Sequence, residues 1–457
     1  MRGEDDGSYN EKLMINNRNL DPSTDDSSAT VESLAPTVGD GQKSAVWPGC
    51  VPPLFSAMRY RGFVLLWVAA LISHTGNWMC MMTIQWLVFD LSQSESMLGL
   101  NTLAMALPAF VMLPLAGVLA DHLDRRFLLV ITRLGRALAY LTAVFLAVTG
   151  MIGVWHLIVL SVLIGIANGV VMPAHNALMV GVVGRDDQAN AVALNAIQFQ
   201  ISHLLGPILG GVVFYVFGAA WNFAAGASGC VLGVVILLAM KNIPTQLTPS
   251  VSLVRSGIQG VSYLRQRMDL VVMLLVVCFS SLLGLPLVVL LPAFVQQQLA
   301  GDAAIYSQLV GCFGLGALIG ACFQILRTRG VVVPRPLLLV GGVLLAGSEL
   351  MAGYCTDAPM MAMLLVLAGF ANISLIVGVK TEILTTTSDS MRGRASSYLS
   401  ICMNACHPIG GVLAGVLAQK FSVLAVYKSF AISLVIIISV VLLCAHFQGV
   451  DMRRKAL

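Results

Sequence analysis

Two titratable side chains stand alone inside apolar runs: His203 in QFQISHLLGPILGG and Glu349 in PLLLVGGVLLAGSELMAG. A histidine changes charge near neutral pH, so His203 has the chemistry to carry a proton, or else serves as a bonded packing residue. Glu349 is a second proton-carrying candidate; otherwise it snorkels to an interface. His74, Asn77 and Gln85 form a third group, 3, 8 and 11 residues apart with Met81 between them. That spacing puts them along one helical face, where they can bond the polar groups of a ligand or of a neighbouring helix. Lys380 and Glu382, with Asn372 two turns earlier, either attract an anion or mark the end of an apolar run.

The same residue types exclude other chemistries. No nucleophile–base pair and no set of metal-ligand spacing stands out, so neither an enzyme nor a metal centre is expected, and no cofactor is called for. The ten Cys include no Cys-x-x-Cys pair, and Cys402 and Cys406, one helical turn apart, read as small apolar packing residues. In GVKT (378–381) Val379 stands where a phosphate-binding loop needs glycine, so ATP is not the direct energy source.

The elements that carry these groups follow from composition. Of 457 residues, 58% are hydrophobic and only 11% charged, and mean hydropathy is +0.87; soluble domains carry about a quarter charged residues. Near charge-free runs of membrane-crossing length recur from Phe63 to Phe447. Twelve helices are expected, near 62–90, 96–116, 127–150, 154–179, 190–217, 220–240, 268–297, 303–326, 336–354, 358–380, 395–419 and 422–446. The fold class is therefore an all-α polytopic membrane protein. Residues 1–58 differ: nine acidic and four basic residues among Ser, Asn and Gly read as a disordered acidic tail, without the apolar stretch of a signal peptide.

Twelve spans put both termini on one side, and basic residues say which. Arg125, Arg126, Arg185, Lys241, Arg255, Arg265, Arg267, Arg327, Arg329, Arg335, Arg392 and Arg394 fall in even-numbered connections, and Arg453, Arg454 and Lys455 in the C-terminal tail. The odd-numbered connections hold none, Lys420 at a span end being the near exception. Both termini are thus expected in the cytoplasm, in a cell (inner, plasma) membrane. The scattered arginines give no nucleic-acid surface. The longest internal connection divides the spans six and six: bundles at 59–240 and 268–447, a cytoplasmic linker at 241–267 and a C-terminal tail at 448–457. GPILGG (206–211) and HPIGGV (407–412) repeat at the same place in each half, with Pro207 and Pro408 201 residues apart.

GVLADHLDRR (117–126) concentrates charge in the turn between the second and third spans. Its Gly117, Ala120, Asp121, Arg125 and Arg126 resemble the signature loop of the major facilitator superfamily, with Asp124 in place of the usual second Gly, a variant similar to the enterobactin-exporter branch. SHLLGPILGG resembles the helix 5 motif of exporters in that superfamily, Ser202 replacing the first Gly before Gly206, Pro207, Gly210 and Gly211. GAAWNFAAGA (218–227) and GIQGVSYLRQR (257–267) resemble the same branch, over about residues 58–450 in all. In helix 4 many proton-coupled relatives carry an Arg where this chain has Gly165 before Ala167, Asn168 and Gly169.

The resemblance implies two pseudo-symmetric six-helix bundles and a secondary active exporter of a small amphiphilic molecule, siderophore first and hydrophobic drug second. Alternating access, protons as coupling ion, contact with membrane lipids and a monomeric state belong to that reading. Helices 1, 4, 7 and 10 line the cavity in this superfamily, which puts His74, Asn77, Gln85, Asn372 and Lys380 on the substrate path. It also makes Gly117, Asp121, Asp124, Arg125 and Arg126 a latch, with Asp121 facing the N-terminus of helix 11. The alternatives are a lysophospholipid or metal-linked transporter, and a non-transporting sensor whose acidic tail recruits a partner.

Overall fold

Where water is absent, an apolar run is stable as a helix, because each backbone N–H and C=O then bonds within its own segment. The computed structural model describes residues 53–240, 267–327, 335–387 and 389–447, and it is built of helices. They are α1 Arg61–Ser92, α2 Glu95–His122, α3 Arg125–Val148, α4 Val154–Val182, α5 Gln188–Phe217 and α6 Ala219–Ala239, then α7 (268–298). The rest are α8 Ala303–Arg327, α9 Arg335–Ala352, α10 Ala358–Thr386, α11 Asp389–Lys420 and α12 Val423–Phe447. Eleven are long and apolar enough to cross a membrane, and the Val340–Ala352 part of α9 is a shorter apolar helix.

Ends follow local chemistry. Asp124 caps α3 by accepting the Arg126 N–H at 2.8 Å, and Asp357 caps α10 by accepting that of Met360 at 2.8 Å. Gly218, at φ +84°, turns the chain between α5 and α6 in a single residue, a conformation that side chains disfavour. The sequence expected α7 as one helix, but it is broken into Met268–Phe279, a π-turn Ser280–Gly284, Pro286–Val289 and Leu291–Gln298. Pro286 and Pro292 lack the N–H that a continuous ladder needs.

The packing repeats with a six-helix offset: α1 packs on α5 and α6 as α7 packs on α11 and α12, α2 on α4 as α8 on α10, and α3 on α4 and α6 as α9 on α10 and α12. Between the halves, α2 packs on α11 and α5 on α8, pairs that exchange under the same offset. The result is two pseudo-symmetric six-helix bundles. Ahead of α1, Pro53–Arg59 forms a short helical segment on α5, where the Ala57 N–H donates to Asn190 Oδ1 at 3.0 Å. Residues 53–58 of the expected tail are therefore part of this helical segment. Residues 1–52, 241–266 and 448–457, which hold most of the expected tails and linker, lie outside the described residues. Arg267 pairs with Asp269 at 2.9 Å and donates to Thr386 O at 3.1 Å, joining the start of α7 to the end of α10.

Candidate functional site: a cavity between the bundles

A cavity of about 130 Å³ lies between the halves. Trp78, Met81 and Gln85 of α1, Asn101 and Met105 of α2, Ser161 of α4 and His203 of α5 form one wall. Val288 and Val289 of α7, Tyr306 and Val310 of α8 and His407 of α11 form the other. A directed chain of hydrogen bonds runs along it. Ser161 Oγ donates to Asn101 Oδ1 at 2.7 Å, Asn101 Nδ2 to Gln85 Oε1 at 2.6 Å, and Gln85 Nε2 across the interface to Val289 O at 3.4 Å. That carbonyl belongs to the broken stretch of α7, so the break sets an acceptor beside the cavity. The His203 ring lies 4.1 Å from that of Trp78, centroid to centroid, with Phe313 at 6.1 Å on α8. Apolar walls with a few convergent polar groups suit an amphiphilic ligand.

The end carrying the α1–α2 turn is sealed. Gln296 Nε2 donates to Asp90 Oδ1 at 3.0 Å, Gln93 Nε2 to Gln296 Oε1 at 3.2 Å and Gln297 Nε2 to Glu95 Oε1 at 2.6 Å. Ser94 and Ser96 both donate to Gln419 Oε1 of α11. Each bond joins one bundle to the other, so separating the bundles at this end breaks them together.

Glycines bring the helices close enough for this. A Cβ on Gly206 would meet Trp78 of α1, one on Gly210 would meet Met79, and one on Gly211 would meet Ser307 of α8. In the repeat, Gly410 abuts Leu282 of α7, while Gly411 touches Val289 of α7 and Thr102 of α2. Ser202 is wholly buried; its hydroxyl accepts from Gln198 Nε2 at 2.9 Å and donates to Leu71 O at 3.3 Å.

Residues 53–454 match the family described as transmembrane secretion effectors. The chain belongs to the major facilitator superfamily. It is a multi-pass membrane transporter of the efflux branch, not an enzyme. It is 23% identical to the multidrug efflux pump Tap of Mycolicibacterium fortuitum, over 86% of this chain and 98% of that one. To the enterobactin exporter EntS of Shigella flexneri it is 26% identical, over 76% and 82%. A bacterial homolog of the human lysosomal transporter Spinster, solved inward-facing and unoccupied, superposes with a TM-score of 0.65 at 14% identity, over 89% of this chain and all of that one.

In this facilitator the α1 stripe divides. Gln85 and Met81 line the cavity, whereas His74 and Asn77 are outside the lining. His74 Nδ1 sits 3.3 Å from Gln198 Nε2 of α5, its ring near those of His175 and Phe199. Asn77 turns into the bundle: Tyr140 Oη of α3 donates to its Oδ1 at 2.8 Å and Arg136 Nη1 at 3.4 Å, while its Nδ2 lies 3.1 Å from Met81 Sδ. On α10, Asn372 is buried and Lys380 exposed, and neither lines the cavity. The 201-residue offset pairs His203 with Asn404, yet Asn404 is exposed and donates to Ser400 O; His407 is the α11 side chain that shares the cavity with His203. Glu349 does not snorkel: it is 0% exposed and neither carboxyl oxygen has a hydrogen-bond partner.

In the charged turn, the side chains of Gly117 to His122, Asp121 among them, lie outside the described residues. Arg125 Nη1 donates to Ala177 O of α4 at 3.3 Å and Arg126 Nη2 to Leu238 O of α6 at 2.6 Å. The Leu238 carbonyl sits in the last turn of α6, where cations are favoured. Asn222 of the GAAWNFAAGA stretch is wholly buried, its Nδ2 donating to Thr83 Oγ1 at 2.7 Å and Gly210 O at 2.8 Å. Asn222→Leu removes both bonds and should lower thermal stability by about 1–3 kcal/mol, read as the melting temperature in detergent; an unchanged melting curve would show that this tie between α1, α5 and α6 carries no weight.

Sequence reasoning passed over two residues. Arg133 and Arg136 of α3 are each 1% exposed. They stand eight and eleven residues beyond Arg125, about 12 and 16 Å along the helix, near the middle of a bilayer. Arg133 Nη1 donates to Gly233 O of α6 at 2.9 Å, and Arg136 Nη1 reaches Asn77 and, at 3.3 Å, Asn168 Oδ1 of α4. A guanidinium thus stands beside α4, supplied by α3. The signal was present: two arginines three apart inside an apolar run cost about 2.5–3.5 kcal/mol each at mid-membrane and call for a reason.

Proposed function

We propose that this chain is a monomeric secondary exporter of a small amphiphilic molecule, siderophores first and hydrophobic drugs second, working by alternating access in the cytoplasmic membrane. The observation that carries the reading is the cavity sealed at one end by bonds between the bundles. Its tryptophan and methionine walls take the apolar part of a substrate, and the Ser161–Asn101–Gln85 chain takes a polar group. With both termini cytoplasmic, the sealed end is the outer one and the conformation is open toward the cytoplasm. The Tap and EntS likenesses favour efflux and a siderophore, and the charge pattern favours the orientation.

In this reading the bundles span residues 59–240 and 268–447, joined by a cytoplasmic linker at 241–267. Gly206, Pro207, Gly210 and Gly211 let α5 tilt against α1 and α8 as the outer end opens, and Ser202 anchors its middle. Gln85 contacts substrate, His74 and Asn77 position α1, and Asn372 and Lys380 stand on the cytoplasmic approach. His203 and Glu349 are the groups able to couple export to protons. Gly117, Asp121, Asp124, Arg125 and Arg126 form a cytoplasmic latch that engages when the outer end opens.

The test uses inverted membrane vesicles with a fluorescent siderophore or drug panel added to the external medium. Wild-type vesicles should accumulate one member when a proton gradient is imposed. Asp121→Asn should express normally and lose at least several-fold of that flux, while Asp124→Asn loses less. Wild-type flux in Asp121→Asn defeats the latch; a chain that moves nothing in the panel, yet loses a signalling output on deletion of residues 1–57, defeats the exporter.

A further inference from the structure

The interior of the N-terminal bundle holds two buried guanidinium groups, Arg133 and Arg136, and no carboxylate among the described residues meets either. Arg133 and Arg136 face inward among α1, α4 and α6, so lipid headgroups do not reach them. Among the described residues neither forms an ion pair, and their hydrogen-bond acceptors are a backbone carbonyl and two amide oxygens, all neutral. Among the described residues, Nε and Nη2 of both side chains have no acceptor. The ionisable groups around the pair are His74, His175, Cys80, Cys230 and Tyr140, none of them a strong acid.

A buried cation is tolerated when an opposite charge meets it, and the described residues supply none here. Arg133 has a structural task, because its Nη1 bonds the Gly233 carbonyl in a slot that a larger residue would close. Arg136 has no comparable fixture. It is framed by Asn77, Tyr140 and Asn168, of which Asn168 is only half-buried and opens the frame on the α4 side. On the α1 side Asn77 touches Met81, which lines the cavity. Methionine is unbranched and adaptable, a side chain able to move aside for a ligand.

We infer that Arg136, with Asn77, Tyr140 and Asn168 around it, is an anion-recognition site reached from the central cavity, and that it takes a carboxylate-class anion. The planar fork of a guanidinium matches a carboxylate with two parallel bonds; the unpartnered Nε and Nη2 of Arg136 make such a pair. This rests on the exporter reading for the route into the cavity and deepens it by naming the charge of the recognised group. Two sources can bring negative charge to this fork: the carboxylate of a substrate, which makes both bonds, and a free anion such as chloride, which competes by charge alone.

The test is equilibrium binding to the purified full chain in phosphatidylcholine nanodiscs, which carry no anionic lipid. Calorimetry at neutral pH compares benzoate with benzamide, its neutral counterpart of the same shape, in chloride-free buffer and then with chloride added. Benzoate should bind the wild type at least ten-fold more tightly than benzamide. Arg136→Gln should bring benzoate down to the benzamide level, and Arg136→Lys should keep part of the difference. Asn168→Asp guards against a folding defect: it gives Arg136 a carboxylate from within, so it should raise the melting temperature while erasing the preference. Displacement of benzoate by millimolar chloride supports the site and names a free anion as occupant; indifference to chloride supports it and names the substrate. Equal binding of benzoate and benzamide to the wild type overturns the inference, and so does a preference that survives in Asn168→Asp. Because no gradient is applied, failure here leaves export standing, and failure of export leaves this result standing.

Discussion

Gly99→Leu should abolish export, by more than ten-fold, in a protein that still folds. Gly99 lies on α2 where it crosses α11, and a Cβ there would stand 2.5 Å from Gly411 O and 2.7 Å from Val412 Cα. Both are backbone atoms, so relief requires the helices to part and not merely a rotamer change. The crossing adjoins the sealed end, where Ser96 bonds Gln419 and Glu95 bonds Gln297. Prying it open removes those bonds together and biases the transporter away from the sealed state, and a cycle that cannot seal one end cannot carry substrate against a gradient. Gly99→Ala should give an intermediate loss. Gly135→Leu is the control, because nothing lies within 4 Å of a Cβ at that lipid-facing position. Flux in inverted vesicles reads the effect, and labelling of a cysteine at position 85 by an impermeant thiol reagent from the outer face should rise in Gly99→Leu. Wild-type flux, with no rise in labelling, would remove the outer seal from the mechanism.

The spans were legible in the sequence because apolar length maps directly onto membrane thickness. The six-plus-six division was legible too, since the GPILGG and HPIGGV stretches fall at matching crossings of α5 and α11. The break in α7 was not. A sequence shows Pro286 and Pro292 but not whether the helix bends smoothly around them, and here the neighbours Gln85 and Tyr427 take the carbonyls of Val289 and Leu287. The cavity was half legible. A stripe about three turns long drifts around its helix, so Gln85 and Met81 reach the cavity while Asn77 and His74, earlier on α1, turn toward α3 and α5. Asn101, Ser161 and Tyr306 went unread because single polar residues in apolar helices look alike until the helices are set side by side. Arg133 and Arg136 went unread although they stand inside the third apolar run, because their partners Gly233, Asn77 and Asn168 come from three other helices that the sequence does not set beside them.

The energy source gives the second large effect. His203 stacks on Trp78 at the cavity and Glu349 is sealed within the C-terminal bundle, so the two candidates differ in what reaches them. Ionising Glu349 where neither oxygen has a donor costs several kcal/mol, and the neutral acid costs far less. A proton taken there must follow a rearrangement of α9. His203 needs no such step, because it lines the cavity, which under the proposed alternating access meets water from each side in turn. His203→Gln should therefore lose gradient-driven export by at least ten-fold while keeping substrate binding and down-gradient exchange, since exchange requires no net proton movement. Glutamine retains a hydrogen-bonding head of similar reach, which limits any packing defect. Glu349→Gln copies the neutral acid, so it should leave folding intact and reduce gradient-driven export by less than three-fold. A reversal of the two, with Glu349→Gln silent for exchange but inactive under a gradient, transfers the coupling role to α9. Gradient-driven export that persists in both variants, or a wild type indifferent to a protonophore, rules protons out and leaves the substrate's own gradient or another ion as the driving force.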